Sequence, residues 1–345
     1  MTTASPERTP KVSVCVPTYN RAALLNAFLP TILGQTLQDF EIVIGDNCST
    51  DNTAEVVATF ADPRIRYVRH EANLGPFGNM NRLLELARGE YVCIAHDDDE
   101  YLPTFLEKEA AMLDAHPSAG MVHCAIYETD EAGTRQRTER AYATTRLLPG
   151  KQEFIRFLQG HNVVCSSVMG RRSTYLAAGP FEGRHICADF LMWLKFALLA
   201  DVAYLAEPLL ERRVHDASVT GSLNPQWWYD EFMSIFDEGI ALAQQVDPAL
   251  VANRAALVQA AAQAQGSRFY IAALSAIAHG AYPLAQGYVS VLRQMRGIGL
   301  SAFYPVSATL LLNPVGRVVL SLVSRVRRAR ARRMVEWPTE TAASA

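Results

Sequence analysis

The chain has 345 residues, of which 50% are hydrophobic and 19% are charged, so its composition excludes a disordered protein and suffices for a sizeable core. The formal net charge of -3 excludes a strong overall attraction to nucleic acid or to anionic membrane, and leaves local charge clusters to be considered separately. The six cysteines are scattered without a C-x-x-C pair, which predicts reduced thiols and no zinc site. The polar start MTTASPERTPK lacks the apolar run of a signal peptide, and we therefore expect a cytoplasmic protein.

Short apolar runs alternate with helical patterns through the first hundred residues. The strand-like runs cover residues 12–16, 41–45, 65–70 and 91–95, and helical periodicity follows over 21–33, 54–60 and 77–88. Strands separated by helices in this way predict an α/β fold with a mostly parallel central sheet flanked by helices, including a Rossmann-like half that binds nucleotides.

The later part of the chain changes character. Residues 105–213 mix helical and strand-like runs, of which NVVCSSVMG is strand-like and EAGTRQRTER is typical of an exposed turn or hairpin. From about residue 225 the pattern is wholly helical. We therefore expect a flexible segment over residues 1–10, one α/β domain over 11–224 and a helical C-terminal region over 225–345.

An acidic run follows the fourth strand. In YVCIAHDDDEYLP, three aspartates at 97–99 come directly after an apolar run. Open α/β sheets bind ligands beyond the carboxyl ends of their strands, where the loops at 17–21, 46–51 and 71–78 also lie. Adjacent carboxylates repel one another, and Mg²⁺ or Mn²⁺ held together with the phosphates of a nucleotide diphosphate would neutralise them. The alternative is a solvated acidic turn that caps the next helix.

Five motifs in order resemble those of family 2 glycosyltransferases, which have the GT-A fold. They are VSVCVPTYNR, IVIGDNCSTDNT, NLGPFGNMNR, GEYVCIAHDDDEYLP and ADFLMWLKFAL with RRVHDAS, within residues 12–220. The resemblance implies a metal-dependent enzyme that transfers a sugar from a nucleotide-diphosphate sugar, by family habit a UDP-sugar, to an acceptor hydroxyl with inversion. The helical C-terminal region is not covered by it.

The resemblance also implies roles for single residues. Asp46 would bond the base edge, Asp97 would face the ribose, and the guanidinium of Arg213 would suit phosphate oxygens. The residues expected to line the donor site are Pro17, Thr18, Tyr19, Arg21, Asp46, Asn47, Asn73, Gly75, Arg82, Asp97 and Arg213.

The metal ligands follow from the same match. Asp98 and Asp99 would hold the ion, and His215 matches a family histidine that reaches the metal or the diphosphate from a loop. His96 stands where the commonest form of the motif has an acidic residue, so the register of the ligands is open by one position. A surface histidine without a role is the alternative for His215.

Inversion requires a base that takes the proton from the acceptor hydroxyl. Asp189 lies where the family carries its base in an acidic pair, whose first member is here Ala188. Asp189 is therefore the expected base, and a helix N-cap is the alternative and compatible role.

The C-terminal stretch VGRVVLSLVSRVRRARARRMVEW combines Val and Leu spacing with an arginine cluster, a pattern typical of a helix on an anionic membrane surface. Through residues 315–335 we expect a peripheral enzyme on the cytosolic face of a membrane, acting on a glycan or lipid-linked acceptor. A solvated tail is the alternative. Nucleic acid is not expected as a partner because no base-reading motif accompanies the arginines.

Other functions fit the sequence less well. A nucleotidyltransferase would need a Gly-rich phosphate loop after the first strand, and PTYNR is not one. A dinucleotide-dependent oxidoreductase would need G-x-G-x-x-G. A non-catalytic nucleotide-sugar-binding or scaffold protein of a polysaccharide assembly remains the main alternative, because the acidic pair lacks its first member at Ala188.

Overall fold

A computed structural model describes residues 9–130, 132–160, 163–214 and 224–317. The strands are β1 (Val12–Thr18), β2 (Phe40–Asp46), β3 (Ile65–Arg69), β4 (Tyr91–Ile94), β5 (Glu100–Tyr101), β6 (Ala119–Thr129), β7 (Arg135–Glu139), β8 (Arg146–Leu148), β9 (Val168–Arg171) and β10 (Asp201–Arg213). The helices are α1 (Ala22–Leu33), α2 (Thr53–Thr59), α3 (Gly75–Leu86), α4 (Phe105–Ala115), α5 (Gly150–Leu158), α6 (Arg172–Ala178), α7 (Ala188–Leu199), α8 (Pro225–Val246), α9 (Arg254–Ala278), α10 (Tyr282–Arg296) and α11 (Phe303–Leu311).

The strands form one sheet in the order β3-β2-β1-β4-β9-β6-β10-β5, with β7 paired to β6 and β8 to β10. The strands β1 to β4 run parallel, and so do β6 and β10, whereas β9 is antiparallel to both neighbours. The expected α/β fold with a central sheet flanked by helices and a helical C-terminal region is therefore confirmed. The sheet is mixed rather than mostly parallel, because four of the nine strand pairs among the described residues are parallel. The strand-like run NVVCSSVMG is only partly a strand, because Cys165–Ser167 form a 3₁₀ turn before β9.

The central strands are mostly apolar and are buried because helices cover both faces of the sheet. All seven residues of β2 are buried. On α1, Leu25, Leu29 and Ile32 recur at helical spacing and are fully buried, and each contributes about 1.5–3 kcal/mol to burial of the core. Gly45 allows α3 to approach β2, since a Cβ atom there would collide with the Asn79 side chain, whose Nδ2 donates to the Gly45 carbonyl oxygen at 2.7 Å.

The described chain forms two compact units. The first comprises residues 9–214 and 233–252, and contains the whole sheet. The second comprises residues 224–232 and 253–317 and is helical. Within these described stretches, every helix is too short or too polar to cross a bilayer.

Candidate active site

Polar loops follow β1, β2 and β4 where these parallel strands end. Thr18, the last residue of β1, pairs with Asp46, the last residue of β2. Asn20 joins the first two loops, since its Oδ1 accepts the Thr50 N–H at 2.7 Å and its own N–H donates to Ser49 Oγ at 2.9 Å. The φ of Asn20 is 51°, a conformation that most side chains avoid, and these two bonds hold it in place.

Asp46 is 1% exposed, and both of its carboxylate oxygens accept hydrogen bonds from other residues. Oδ1 accepts the Ser49 N–H at 2.8 Å, and Oδ2 accepts the Tyr67 hydroxyl and lies 3.7 Å from Arg69 Nε. Burial and the Asp46 carboxylate both raise the pKa of Tyr67, so the phenol keeps its proton and remains a donor. The carboxylate is thereby fixed in one orientation.

The Asn47 side chain ties the end of β2 to the start of α3. Its Nδ2 donates to Asn73 Oδ1 at 2.8 Å and to the Gly75 carbonyl oxygen at 3.1 Å, while its Oδ1 accepts the Leu74 N–H at 2.7 Å. Gly75 has a φ of 72°, which favours glycine at this turn. Three of the expected donor-site residues are thus brought together.

Asp97 is 2% exposed and is held by two residues from the end of β1 and the loop after it. Its Oδ2 accepts the Thr18 hydroxyl at 2.7 Å, and its Oδ1 accepts Arg21 Nη1 at 2.9 Å. The same Arg21 nitrogen donates to Asp98 Oδ2 at 2.9 Å. Burial raises the pKa of Asp97, and the Arg21 guanidinium opposes that rise. Arg21 therefore holds the two carboxylates side by side and balances one negative charge.

His96, Asp98 and Asp99 form a compact group in which one donor atom of each lies within 4.8 Å of the others. His96 Nε2 is buried and has no hydrogen-bond partner among the described residues. Buried polar atoms in folded proteins are nearly always satisfied, so an imidazole nitrogen with no described partner beside two carboxylates is able to accept a ligand. Two carboxylate oxygens and an imidazole nitrogen are donors that suit Mn²⁺, and the oxygens also suit Mg²⁺.

Asp99 connects this group to two later parts of the chain. Its Oδ2 accepts the Ser166 hydroxyl, and its Oδ1 accepts the Arg213 N–H at 3.3 Å. Burial raises the pKa of Asp99 to about 6, and His96 opposes the rise. A neighbouring cation would lower that pKa again because it stabilises the carboxylate.

Asp189 is the second residue of α7, and the N-cap is Cys187, so the suggested N-cap role is wrong. Asp189 Oδ1 instead accepts the neighbouring Phe190 N–H at 2.9 Å. Burial raises the pKa of Asp189, and His96 is near enough to oppose the rise. Burial raises the pKa of Cys165, and the negative charges of Asp189 and Asp99 add to that rise.

Some expected donor-site residues have other neighbours. Arg82 is exposed and pairs with Glu85 on its own helix at 2.6 Å. Tyr19 is exposed. The described contacts therefore do not join these two side chains to the acidic group.

The remaining expected residues are placed as follows. Pro17 lies within β1 opposite Gly45. The Nε atom of Arg213 is buried and without a hydrogen-bond partner in the described part of the chain. His215 lies outside the described residues, and so does the stretch 315–335 beyond residue 317.

Three residues of the site were not expected from the sequence. His96 had a signal, because it occupies a position of the acidic motif. Tyr67 and Ser166 had none, because a tyrosine in an apolar strand and a serine in CSS are ordinary residues until the fold brings them to Asp46 and Asp99.

The comparisons with known proteins agree with this geometry. The family Glycosyl transferase family 2 matches residues 13–176. An uncharacterized protein of Mycobacterium tuberculosis, MT1568, is 32% identical over 222 residues, which cover 61% of this chain and 69% of that protein. A PGL/p-HBAD biosynthesis glycosyltransferase of Mycobacterium bovis is 31% identical over 186 residues, which cover 52% of this chain and 67% of that protein.

Two similar solved structures contain nucleotide sugars. S. aureus TarS 1-349 in complex with UDP-GlcNAc is 19% identical with a TM-score of 0.62, and the match covers 91% of each chain. The mannosyltransferase PcManGT from Pyrobaculum calidifontis, in complex with GDP-Man and Mn²⁺, is 21% identical with a TM-score of 0.52, and the match covers 92% of this chain and 88% of the other. At these identities the likeness establishes a shared fold, and the sequence relatives establish the family. The chain belongs to glycosyltransferase family 2 and is a glycosyltransferase with the GT-A fold.

Proposed function

We propose that the protein transfers a sugar from a nucleotide-diphosphate sugar, in the first instance a UDP-sugar, to a hydroxyl group of a glycan or lipid-linked acceptor. The reaction would invert the anomeric carbon and would serve polysaccharide or cell-surface glycan biosynthesis. The observation that carries the proposal is the group of His96, Asp98 and Asp99 beside the Arg21–Asp97 pair. The UDP-GlcNAc bound by TarS supports a uridine donor.

We assign the donor site to the loops after β1, β2 and β4. The base edge would meet Asp46, which is already held in one orientation by Ser49 and Tyr67. The ribose would meet Asp97. The other residues assigned to the donor are Pro17, Thr18, Tyr19, Arg21, Asn47, Asn73, Gly75, Arg82 and Arg213.

The proposed cofactor is Mg²⁺ or Mn²⁺. Asp98, Asp99 and His96 would hold the ion, and the unpartnered Nε2 atom of His96 supports this assignment. His215 is a further proposed ligand. When bound, the ion supplies positive charge that stabilises the departing diphosphate.

Asp189 is the proposed base. As the acceptor oxygen forms its bond to the anomeric carbon, Asp189 takes the hydroxyl proton, and the bond from that carbon to the phosphate oxygen breaks to release the nucleoside diphosphate. Attack from the side opposite the leaving group inverts the centre. The pKa of Asp189 is raised by burial, which makes its carboxylate a stronger base.

We also propose that the enzyme works in the cytoplasm and reaches the cytosolic face of a membrane through residues 315–335. A lipid-linked acceptor would be presented at that face. Deleting residues 315–345 tests this step, because unchanged partition into anionic vesicles would contradict it.

Thermal melting tests the donor and the cofactor together. The purified chain is melted with UDP, GDP and other nucleoside diphosphates, each with Mn²⁺ or with a chelator. A ligand at a hundred times its dissociation constant stabilises the folded state by about 2.7 kcal/mol, which is a measurable shift. We expect a shift with one nucleotide that disappears with the chelator. The absence of a shift with every nucleotide would refute the proposed donor site.

A turnover assay separates the enzyme from a non-catalytic nucleotide-sugar-binding protein. With the nucleotide sugar selected by melting, we expect release of the nucleoside diphosphate that depends on the acceptor. Binding without any turnover, over a panel of glycan and lipid-linked acceptors, would favour the binding protein.

A further inference from the structure

The helix α11 carries an apolar stripe on its exposed side. Phe303, Val306 and Leu310 are 63%, 52% and 61% exposed, and at a 100° turn per residue they lie within roughly 60° of one another. The helix contains no charged residue. The hydroxyls of Ser307 and Thr309 donate to carbonyl oxygens of the preceding turn, so they offer no free hydrogen to a partner. This side of α11 is therefore an almost purely apolar surface.

Two arginines of α10 border the stripe. Arg293 and Arg296 are exposed and line a groove of about 370 Å³ together with Pro305, Val306, Thr309 and Leu310. Arg293 donates to Thr309 Oγ1 at 3.0 Å. The guanidinium of Arg296 has no hydrogen-bond or ion-pair partner among the described residues. The groove thus combines apolar side chains with a positive charge that no side chain in the described part of the chain balances.

The sequence around this groove is strongly unbalanced in charge. Residues 248–335 contain eleven arginines and no aspartate or glutamate, although the whole chain has a formal net charge of -3. Such a segment attracts anionic surfaces, and the attraction does not depend on the position of any one arginine.

We propose that α10 and α11 form a docking surface for an anionic phospholipid bilayer. The stripe Phe303, Val306 and Leu310 would enter the boundary between headgroups and acyl chains, while Arg293 and Arg296 would pair with lipid phosphates. The surface lies before residue 315 and is therefore separate from the arginine-rich stretch 315–335. The inference does not depend on the chemistry of the sugar transfer.

Other occupants explain the surface less well. A second copy of the chain that covered the stripe symmetrically would bring the arginine pairs of both copies together, and like charges repel. A nucleic acid would meet the arginines and could stack a base on Phe303, but it would leave the aliphatic side chains of Val306 and Leu310 without a role. An anionic bilayer would contact both the apolar stripe and the two arginines.

Vesicle co-sedimentation tests the proposal with the full chain. The vesicles contain phosphatidylcholine alone or with phosphatidylglycerol. We expect binding only to the phosphatidylglycerol vesicles. The double variant Val306→Ser with Leu310→Ser should lower the partition coefficient about tenfold, because two side chains no longer enter the boundary. The variant Arg293→Gln with Arg296→Gln should lower it by about the same factor.

Matched substitutions elsewhere control for general effects. Leu176→Ser removes an equally exposed leucine from α6, and Arg146→Gln removes an exposed arginine at the start of β8. Both should leave the partition coefficient within about twofold of the parent chain, because neither residue belongs to the proposed stripe or lines the groove. Circular dichroism and melting temperature show that each variant is folded, and the exposed positions make folding failure unexpected.

Three results would overturn the proposal. The first is no binding of the parent chain to the anionic vesicles. The second is binding that both double variants retain in full, in which case residues 318–345 carry any attachment. The third is a self-association, measured by sedimentation velocity, or an RNA affinity that the Val306→Ser, Leu310→Ser variant abolishes while its vesicle binding is unchanged.

Discussion

The loops after β2 and β4 lie at the same edge of the sheet but are built in opposite ways. After β2, both oxygens of Asp46 and the side-chain amide of Asn47 bond to protein groups. After β4, His96 Nε2 has no partner in the described part of the chain, and burial raises the pKa of Asp99 to about 6. In the first loop the polar side-chain atoms are bonded to other protein groups. In the second loop an imidazole nitrogen without a described partner and a buried carboxyl group can still bind a ligand.

The difference in hydrogen bonding between the two loops suggests two different ways of binding a ligand. A side chain that is already fixed by the protein loses little further freedom when a ligand arrives, so the loop after β2 suits selective recognition. A group of buried charged donors gains most of its stabilisation from a cation, so the loop after β4 suits a metal and a diphosphate. Substitutions in the loop after β2 should therefore lower nucleotide affinity, whereas substitutions in the loop after β4 should lower metal affinity.

The largest effect is expected for Asp189→Asn, which keeps the shape of the side chain but removes the base. Turnover should fall by roughly a thousandfold, because general base catalysis contributes between about a hundredfold and ten thousandfold. Nucleotide-dependent melting should be unchanged. Glu107→Gln is the control, since Glu107 lies in the first turn of α4, and its turnover should stay near that of the parent. Equal turnover in Asp189→Asn would remove Asp189 as the base.

The next largest effect is expected for Asp98→Asn. We expect turnover to fall about a hundredfold, because one anionic donor of the proposed metal group is lost. The melting shift with nucleotide and Mn²⁺ should disappear, which distinguishes this variant from Asp189→Asn. A metal-dependent melting shift of normal size in Asp98→Asn would assign the ion to other residues.

A smaller effect is expected for His96, whose role the two possible substitutions separate. His96→Gln should raise the Mn²⁺ concentration for half-maximal activity about tenfold, because the imidazole donor is lost. His96→Asp restores a carboxylate where the family commonly has one, and should bring that concentration back toward the parent value. Titration of activity with Mn²⁺ measures both, and equal values in all three proteins would exclude His96 from the metal group.

The loop after β2 is tested by Tyr67→Phe, which removes the hydroxyl donor to Asp46. We expect the free energy of unfolding to fall by about 1 kcal/mol and nucleotide affinity to fall several-fold, with metal affinity unchanged. Tyr229→Phe is the control because the Tyr229 hydroxyl has no hydrogen-bond partner among the described residues. Urea unfolding and nucleotide titration give the two quantities, and a loss of metal affinity would contradict the division between the loops.

A buried carboxyl group away from both loops provides the smallest expected effect. Glu109 on α4 is fully buried, and burial raises its pKa well above the ordinary value. From the ordinary Glu pKa upwards, the unfolded chain releases this proton while the folded chain retains it, so stability falls as pH rises until the raised pKa is reached. In Glu109→Gln this decline is absent, so the variant should gain stability relative to the parent as pH rises from 4.5 to 7. Urea unfolding at both pH values checks this, and a constant difference would contradict it.

Much of the fold could be predicted from the sequence because the signals are local. The β-branched runs before Thr18 and Asp46 and the helical spacing of Leu25, Leu29 and Ile32 each depend on residues close together in the chain. Parallel strands then place their carboxyl ends at one edge, and this rule alone brings the aspartates at 97–99 to the loops after β1 and β2.

Other parts of the site could not be predicted because they join residues far apart in the chain. Ser166 bonds to Asp99 across 67 positions, and Tyr67 bonds to Asp46 across 21. Arg82 was expected at the phosphates but pairs with Glu85, because a partner one helical turn away is always within reach.

By itself, the sequence determined the period of each strand and helix, the order of the motifs and the family to which the chain belongs. Only the tertiary structure decided that both carboxylate oxygens of Asp46 accept hydrogen bonds, and that His96 Nε2 has no partner among the described residues. It also decided that Asp189 lies inside α7 rather than at its N-cap, and that α11 exposes an apolar stripe beside Arg293 and Arg296. The physical reason is that hydrogen-bond satisfaction, burial and pKa depend on every neighbour that packing supplies, whereas periodicity depends only on the residues next in the chain.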